Sequence, residues 1–435
     1  MEILNDAANY NSLKRRPSLL SINAYHYHRG GADNVYLSHG ELFGAHGWAT
    51  SWSSMDYPLN EPSPDSQWFA ATVDMTVPKP LGKRLVEAKR IIWSREAQLK
   101  MRGLLASREI DIAHVHSVYH HQSPSVLAEL RRHDIPVVLT AHDLKLACPA
   151  YTMMAQGKLC ERCRGGKIWN VLTHKCIKDN RAASALIMIE SAVHKALRIY
   201  NRFTDRIITP SAFYRNKLIE WGWAPHKIVH VRNFVSIAPT PPPFTGGGYL
   251  LYFGRLSHEK GLATLVRAAA ASGVPVRIAG RGPEEERLRA LVAETGAPVT
   301  FLGFRSDDDL WAEVDAARAT VLPSEWYENG PMSAIEAFGR GKPLLGAAIG
   351  GIPELIAEGV TGWTFRSGDV GDLAAAMTRV METPDATLAD MHRETHMRAR
   401  ADYAADVYYQ NMLDIYRPLI AASPRGRAGK VGTLL

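Results

Sequence analysis

The sequence predicts an α/β protein with two open, doubly wound parallel sheets that face a central cleft. Short apolar segments alternate with longer amphipathic segments almost from end to end, which is the pattern of strand–helix units in a parallel sheet. The pattern occurs twice, and the intervening residues 237–248 contain four prolines and three glycines, which neither a helix nor a central strand tolerates. Because open parallel sheets bind ligands beyond the carboxyl ends of their strands, two facing domains predict a site between them.

The first half contains four segments with the character of buried strands. They are residues 18–24, 112–116, 136–142 and 206–210. A helical segment, residues 83–107, lies between the first two. We therefore predict a first domain over residues 17–236. Residues 143–180 form an insertion within it, called the Cys-rich insertion below.

The second half repeats the pattern at intervals that suit crossover helices. Its strand-like segments are residues 249–254, 274–280, 298–303, 320–323 and 343–346. We predict a second domain over residues 249–384, joined to the first by a linker at 237–248. Residues 385–421 are helical in character, and we expect them to cross back onto the first domain.

Composition narrows the class of protein. The 435 residues are 46% hydrophobic and 22% charged, which excludes a disordered chain. The formal charge of +7 favours anionic partners. Without a signal-peptide pattern or a run of about 20 apolar residues, we expect a soluble cytoplasmic protein. The basic tail with Arg425, Arg427 and Lys430 would either contact the inner face of the membrane or, more simply, be a frayed solvated end.

A glycine-bounded loop follows the first strand of the second half. It begins at Gly254, carries Arg255 and Lys260, and opens a helix after Gly261. Two cations and the free amides of a helix start suit a diphosphate group. An exposed basic loop without a ligand is the alternative interpretation.

Two glutamates eight residues apart indicate a second part of the same site. Pro331 suits the start of a helix, where its missing N–H costs nothing, so Glu328 belongs to the preceding loop and Glu336 to the helix. A loop carboxylate accepts hydrogen bonds from sugar hydroxyls, and a helix carboxylate can hold a ribose diol. Gly330, Pro331 and the free amide of Met332 would face phosphate. Two solvated glutamates are the alternative.

Residues at strand ends in the first half are predicted to face the same cleft. The pair Gly30 and Gly31 follows the first strand and opens a helix, so the backbone there can approach a ligand closely. An ordinary strand-to-helix turn is the alternative. His142 ends another strand at the carboxyl side of the sheet. Three further histidines are also candidates to line the cleft, although packed or exposed histidines are the simpler interpretation: His116, His120 and His121.

All four cysteines fall within 29 residues, in the order C-x11-C-x2-C-x12-C. They are Cys148, Cys160, Cys163 and Cys176. In a reducing compartment this spacing favours a closed four-thiolate zinc site over disulfides. Such a site would shape the insertion and do no chemistry, because it leaves no open coordination position. Free thiols are the main alternative, and a redox pair is a second one.

Four of these motifs, taken in order, resemble the family 4 glycosyltransferases of GT-B architecture, which have two Rossmann-like domains. The four are GRLSHEKG at 254–261, GRGP at 280–283, the Glu328 and Glu336 pair, and GGIPELI at 350–356. The resemblance assigns Arg255 and Lys260 to the leaving diphosphate. It assigns Glu328 to the donor sugar and Glu336 to the nucleotide ribose. It also implies that His142 lies beside the donor sugar, that the turn at Gly30 and Gly31 borders the reaction centre, and that Gly254 and Gly280 line the donor pocket.

The resemblance implies a retaining glycosyltransferase that moves a hexose-type sugar from a nucleotide-diphosphate donor to a saccharide or lipid-linked acceptor, as in bacterial polysaccharide or glycolipid synthesis. Fixed cations and helix amides can stabilise the leaving group, so we expect no catalytic cofactor, and only a structural zinc ion. An epimerase or phosphorylase on the same scaffold stays open, although no lysine context suggests pyridoxal phosphate. A zinc-dependent nucleic-acid-binding protein is the alternative from another class. Because the basic residues are dispersed over both halves, we expect no nucleic-acid partner.

Overall fold

The computed structural model describes residues 16–73 and 80–424, and in it the chain forms two six-stranded parallel sheets. Each sheet is flanked by helices and forms a Rossmann-like domain, so the predicted GT-B-type α/β fold is confirmed. Helices cover both faces of a parallel sheet, so its strands are mainly apolar. Apolar segments in the sequence therefore indicate where such strands lie.

The first domain has its main sheet in the order β10-β9-β6-β5-β1-β2. Its strands are β1 (Ser18–Ile22), β2 (Ala49–Ser53), β3 (Met55–Asp56), β4 (Ala70–Ala71), β5 (Ile112–Val115), β6 (Val137–Thr140), β7 (Met154–Ala155), β8 (Lys158–Leu159), β9 (Arg206–Thr209) and β10 (Ile228–His230). Its helices are α1 (Gly31–Ala45), α2 (Leu81–Ile92), α3 (Arg95–Ser107), α4 (Ser125–Arg132), α5 (Asn170–Thr173), α6 (Arg181–Ala196), α7 (Ile199–Phe203) and α8 (Ala212–Glu220). Every residue of β1, β5 and β6 is buried.

The second domain has the order β13-β12-β11-β14-β15-β16. Its strands are β11 (Leu250–Phe253), β12 (Val276–Ala279), β13 (Val299–Gly303), β14 (Ala319–Leu322), β15 (Leu344–Ala347) and β16 (Gly362–Phe365). Its helices are α9 (Leu262–Ser272), α10 (Glu285–Thr295), α11 (Asp307–Ala316), α12 (Met332–Gly339) and α13 (Val370–Glu382). The order reverses between β11 and β14, so the loops that follow these two strands flank the switch point where such sheets bind ligands.

Two terminal helices follow the second domain, α14 (Asp385–Tyr403) and α15 (Ala405–Ala422). Helix α14 packs on α12 of the second domain. Helix α15 packs on the first domain, where Tyr408 hydrogen-bonds His39 at 2.9 Å and Trp48 donates to Tyr409 at 3.1 Å. The end of the chain therefore joins the two domains through apolar and polar contacts.

Local details differ from the sequence prediction in two places. The predicted helix over residues 83–107 is two helices, because Ser94 caps the second one and accepts a hydrogen bond from the Ala97 amide at 3.1 Å. Seven strands were not predicted: β2, β3, β4, β7, β8, β10 and β16. No helix within the described residues is both long and apolar enough to cross a bilayer. The basic tail with Arg425, Arg427 and Lys430 lies outside the described residues.

Candidate functional site

The glycine-bounded loop of the second domain lies at the carboxyl end of β11. A short 3-10 turn, His258–Lys260, leads to Gly261, which has φ +68° and begins α9. A Cβ atom at Gly261 would lie 1.9 Å from the Pro323 carbonyl oxygen, so only glycine allows the loop to approach the end of β14. Arg255 is exposed and, within the described part of the chain, has no ion-pair partner. Its guanidinium is therefore available to a ligand.

Lys260 and Glu328 form a direct ion pair although 68 residues separate them. The Nζ atom of Lys260 lies 2.7 Å from Oε1 of Glu328, and Ser324 donates to the same oxygen at 2.6 Å. Burial alone would raise the pKa of Glu328, but attraction to Lys260 and these hydrogen bonds hold that pKa below its ordinary value. Glu328 is therefore ionised at neutral pH, and Lys260 is held in one place before a ligand arrives.

The starts of two helices meet where the domains face each other. Helix α12 begins directly after Pro331, as predicted, and no side chain caps its first turn. Helix α1 begins at Gly31 and also lacks a side-chain cap. A Cβ atom at Gly31 would lie 3.2 Å from Cγ of Met332, so the two helix starts are neighbours. Their free amides and dipoles favour an anion at this point.

A cavity of about 720 Å³ lies between the domains. Its walls include Asn34 and Ser38 of α1, the linker prolines Pro241 and Pro242, and Glu336 of α12. Glu336 has no ion-pair partner within the described residues, and burial raises its pKa to about 7. The two predicted carboxylates thus have different surroundings: Glu336 lines the cavity, whereas Glu328 is only 4% exposed and is paired with Lys260.

Two glycines of the predicted donor site, Gly280 and Gly330, allow close backbone approach. Gly280 has φ +150°, and a Cβ atom there would lie 1.9 Å from the carbonyl oxygen of Gly254. The ends of β11 and β12 therefore pack directly against each other. Gly330 has φ +75°, and a Cβ atom there would lie 2.8 Å from Pro210 of the first domain. These positions shape the loops around the cleft.

His142 lies at the carboxyl end of β6 and faces His116. Its Nε2 atom is 2.9 Å from Nδ1 of His116, and the two rings are stacked with centroids 5.2 Å apart. Burial lowers the pKa of His142 to about 4, so this imidazole is neutral at pH 7 and can act as a hydrogen-bonding group. His120 contacts Lys145 at 3.0 Å, and His121 packs on Tyr25.

Contacts across the cleft involve residues that the sequence did not single out. Asn329, next to Glu328, donates to the carbonyl oxygens of Ala141 at 2.7 Å and of His142 at 3.2 Å. Glu354 of the GGIPELI motif accepts from the backbone amides of Ala212, at 2.8 Å, and Phe213 at the start of α8. In the sequence, only the GGIPELI motif that contains Glu354 pointed to that residue. A single asparagine such as Asn329 gives no recognisable sequence signal.

The four cysteines lie in one region of the Cys-rich insertion and form no disulfide. Their thiols interact electrostatically with one another, and burial first and then neighbouring thiols raise the pKa of Cys163 to about 12 and of Cys176 to about 11. No three of the four sulfurs lie within 4.8 Å of one another in the described chain. Tetrahedral zinc with Zn–S bonds of about 2.3 Å would require separations near 3.8 Å, so the sulfurs would have to move closer to bind it.

Comparison with known families identifies both halves of the chain. Residues 29–238 match the model described as Glycosyltransferase Family 4, and residues 239–401 match the model described as Glycosyl transferases group 1. The boundary between the two matches falls in the linker.

Individual relatives agree with these matches. Glycogen synthase of Mycobacterium tuberculosis is 31% identical over 237 residues, 52% of this chain and 56% of that protein, so the chain spans about half the length of this relative. Two solved structures share the fold. Sucrose-phosphate synthase of Thermosynechococcus elongatus has a TM-score of 0.69 at 20% identity and covers 94% of this chain and 100% of its own. Anabaena HepE in complex with UDP-glucose has a TM-score of 0.64 at 16% identity and covers 92% and 99%.

Proposed function

Because the chain belongs to the family 4 glycosyltransferases of GT-B type, we propose that it transfers a hexose-type sugar from a nucleotide-diphosphate donor, with retention, to a saccharide or lipid-linked acceptor. The observation that carries this proposal is the Lys260–Glu328 ion pair, which lies between the Arg255 loop and the uncapped start of α12. Retention and the hexose class rest on the family resemblance. A donor of this chemistry is also supported by the UDP-glucose complex of Anabaena HepE.

The proposed chemistry separates charge, and the cleft residues suit that separation. The bond between the anomeric carbon and the β-phosphate oxygen breaks, and the nucleoside diphosphate leaves with the electron pair. The acceptor hydroxyl oxygen forms the new bond, and its proton passes to an oxygen of the departing diphosphate. Arg255, Lys260 and the amides at Met332 would stabilise the leaving group, because preorganised positive charge favours the transition state over the ground state.

The remaining cleft residues would bind the rest of the donor. Glu328 would accept hydrogen bonds from sugar hydroxyls, and Glu336 would hold the ribose within the cavity that it lines. Neutral His142 would hydrogen-bond the sugar. We place the acceptor on the first domain, which carries the turn at Gly30 and Gly31.

We also propose a structural zinc ion in the Cys-rich insertion. Six of the eleven non-glycine residues with positive φ lie in it, and such conformations persist only where the surroundings enforce them. The segment contains little regular structure beyond β7, β8 and α5. Lys195 interacts with the thiols of Cys148 and Cys163, and its positive charge would offset a four-thiolate zinc centre. Bound metal would supply the cross-link that this segment needs.

We propose a cytoplasmic location, with peripheral contact to the inner face of the membrane when the acceptor is lipid-linked. The basis for the membrane contact is the net charge of +7, which favours an anionic lipid surface. Sedimentation with anionic and neutral vesicles tests the membrane contact.

The function is tested by incubating the protein with UDP-, GDP-, ADP- and dTDP-sugars, first alone and then with saccharide and lipid-linked acceptors. Mass spectrometry of the products separates transfer from hydrolysis and epimerisation. Sugar transfer to an acceptor with release of nucleoside diphosphate is the expected result. Isomerised donor without transfer would instead indicate an epimerase.

A further inference from the structure

The Cys-rich insertion contacts the second domain at the loop that carries Glu328. Tyr327 donates its hydroxyl to Oε1 of Glu161 at 2.9 Å, and Glu161 lies between Cys160 and Cys163. Lys217 of α8 donates to the same Glu161 oxygen at 2.9 Å. Three elements from two domains therefore converge on one carboxylate.

Aromatic and backbone contacts reinforce this junction. The ring of Phe213 lies 4.9 Å from the ring of Tyr327, and Nζ of Lys217 lies 5.7 Å from the Tyr327 ring centroid. At a second point, Gly157 in the turn between β7 and β8 approaches His258 so closely that a Cβ atom would lie 3.0 Å from Nε2. The insertion thus contacts both loops that carry the predicted donor residues Lys260 and Glu328.

Tyr327 is adjacent to Glu328, so its position constrains where the Glu328 carboxylate lies. Glu328 in turn holds Lys260 at 2.7 Å. The Glu161 side chain is 29% exposed and that of Lys217 is 13% exposed, so the junction is partly shielded from water and its hydrogen bonds are stronger than surface ones.

We propose that Glu161 is a positioning residue that couples the Cys-rich insertion to the donor site, by holding Tyr327 and hence the Glu328–Lys260 pair. This inference rests on the proposed function. Opening of the cleft must break the contact between Glu161 and Tyr327, because the two residues belong to different domains. The insertion therefore helps to hold the two domains in the arrangement that this contact requires.

The test combines five variants of the full chain with two measurements. Glu161→Ala and Tyr327→Phe each remove the hydrogen bond from one side, and the double variant tests coupling. Glu220→Ala is the matched control, because Glu220 pairs with Lys217 at 3.0 Å and Arg164 at 2.6 Å but makes no hydrogen bond to Tyr327 within the described residues. Hydrogen exchange of residues 324–330 and the Kd of UDP, GDP, ADP or dTDP, whichever binds the unaltered protein most tightly, are measured for each.

We expect Glu161→Ala and Tyr327→Phe to accelerate exchange in residues 324–330 and to weaken nucleotide binding about tenfold, the size of one charge-assisted hydrogen bond. The double variant should be no worse than either single one. Glu161→Gln keeps an acceptor oxygen and should restore most of the affinity, and Glu220→Ala should change neither quantity.

Unchanged exchange and affinity in Glu161→Ala would overturn the inference, as would an equal effect of Glu220→Ala. Tyr327→Phe removes the same hydrogen bond by a change in the second domain. It therefore still tests the inference if Glu161→Ala folds poorly. If the unaltered protein binds none of the four nucleotides, the proposed function fails, whereas the exchange rates still decide whether Glu161 holds the loop.

Discussion

Lys260 is the residue on which the proposed chemistry depends most directly. Its ammonium contacts Glu328 and lies 5.2 Å from the centroid of the Trp326 ring. Removing the charge should raise the barrier to departure of the diphosphate, so we expect Lys260→Ala to lower kcat by about 10² to 10³. Steady-state kinetics with the identified donor measures this.

Arg267→Ala is a suitable control for that experiment, because Arg267 is exposed on α9, the helix that follows the glycine-bounded loop. It should leave kcat unchanged. Near-normal turnover in Lys260→Ala, in a protein that melts at the usual temperature, would remove Lys260 from the mechanism.

Glu336 predicts a pH dependence of donor binding. Burial raises its pKa to about 7, so the carboxyl loses its proton as pH rises through 7 and becomes a better acceptor for a ribose diol. Nucleotide affinity should therefore increase about tenfold from pH 6 to pH 8, the ratio of the ionised fractions at those values. Titration calorimetry across this range measures the change.

The matched variant for this prediction is Glu336→Gln, which cannot ionise. Any pH dependence that remains in it belongs to the phosphates of the ligand. If the unaltered protein and the variant respond identically to pH, Glu336 does not bind the ligand through an ionised carboxylate.

The sequence indicated several cleft residues but not their pairing. Gly261 and Pro331 marked the starts of helices, which led to Lys260 and Glu328 as candidates. Their direct contact joins residues 68 positions apart, and no local pattern encodes such a distance. The role of Glu161 was missed for a related reason. In the sequence it is only one of the two residues between Cys160 and Cys163, and its partner Tyr327 lies in the other domain.

At the scale of elements, the Cys-rich insertion offers a direct test of metal binding. We expect one zinc ion per chain by elemental analysis, and we expect Cys163→Ser to lose the metal and lower the melting temperature. Removal of a thiolate ligand costs a structural site much of its binding free energy. Lys167→Ala, an exposed position in the same insertion, is the control. Metal-free protein whose four thiols all react freely would reject the zinc proposal.

Strands and helices were predicted where the apolar pattern was long and were missed where it was short. Buried strands such as β1, β5 and β6 consist mainly of apolar residues, and all three were located. Strand β2 reads ATSWS, with partly exposed positions, and β10 has only three residues, so neither shows a buried-strand pattern. The break at Ser94 was missed because amphipathic spacing continues on both sides of it.

At the scale of the whole molecule, contacts across the cleft connect the two domains at several points. Asn329 binds the end of β6, Glu354 binds the start of α8, and α15 returns to the first domain. These contacts were outside the reach of sequence patterns, because they depend on how two domains face each other. The two-domain arrangement itself followed from the repeated strand–helix pattern and the intervening linker.

The same cleft predicts turnover without a divalent cation. Arg255, Lys260 and the start of α12 supply positive charge where a metal ion would otherwise be needed. The initial rate with added Mg²⁺, or with EDTA present for the few minutes of an assay, should stay within about twofold of the rate without either addition. Rate loss in EDTA that Mg²⁺ restores would show that a cation takes part in the reaction.

The most direct measurement is a crystal structure of the protein with the nucleoside diphosphate that raises its melting temperature most, since a tight ligand stabilises the native state. We predict that the diphosphate lies against Arg255, Lys260 and the first turn of α12, and that the ribose lies against Glu336. Nucleotide bound outside this cleft, or both basic side chains directed into bulk water in the complex, would contradict it.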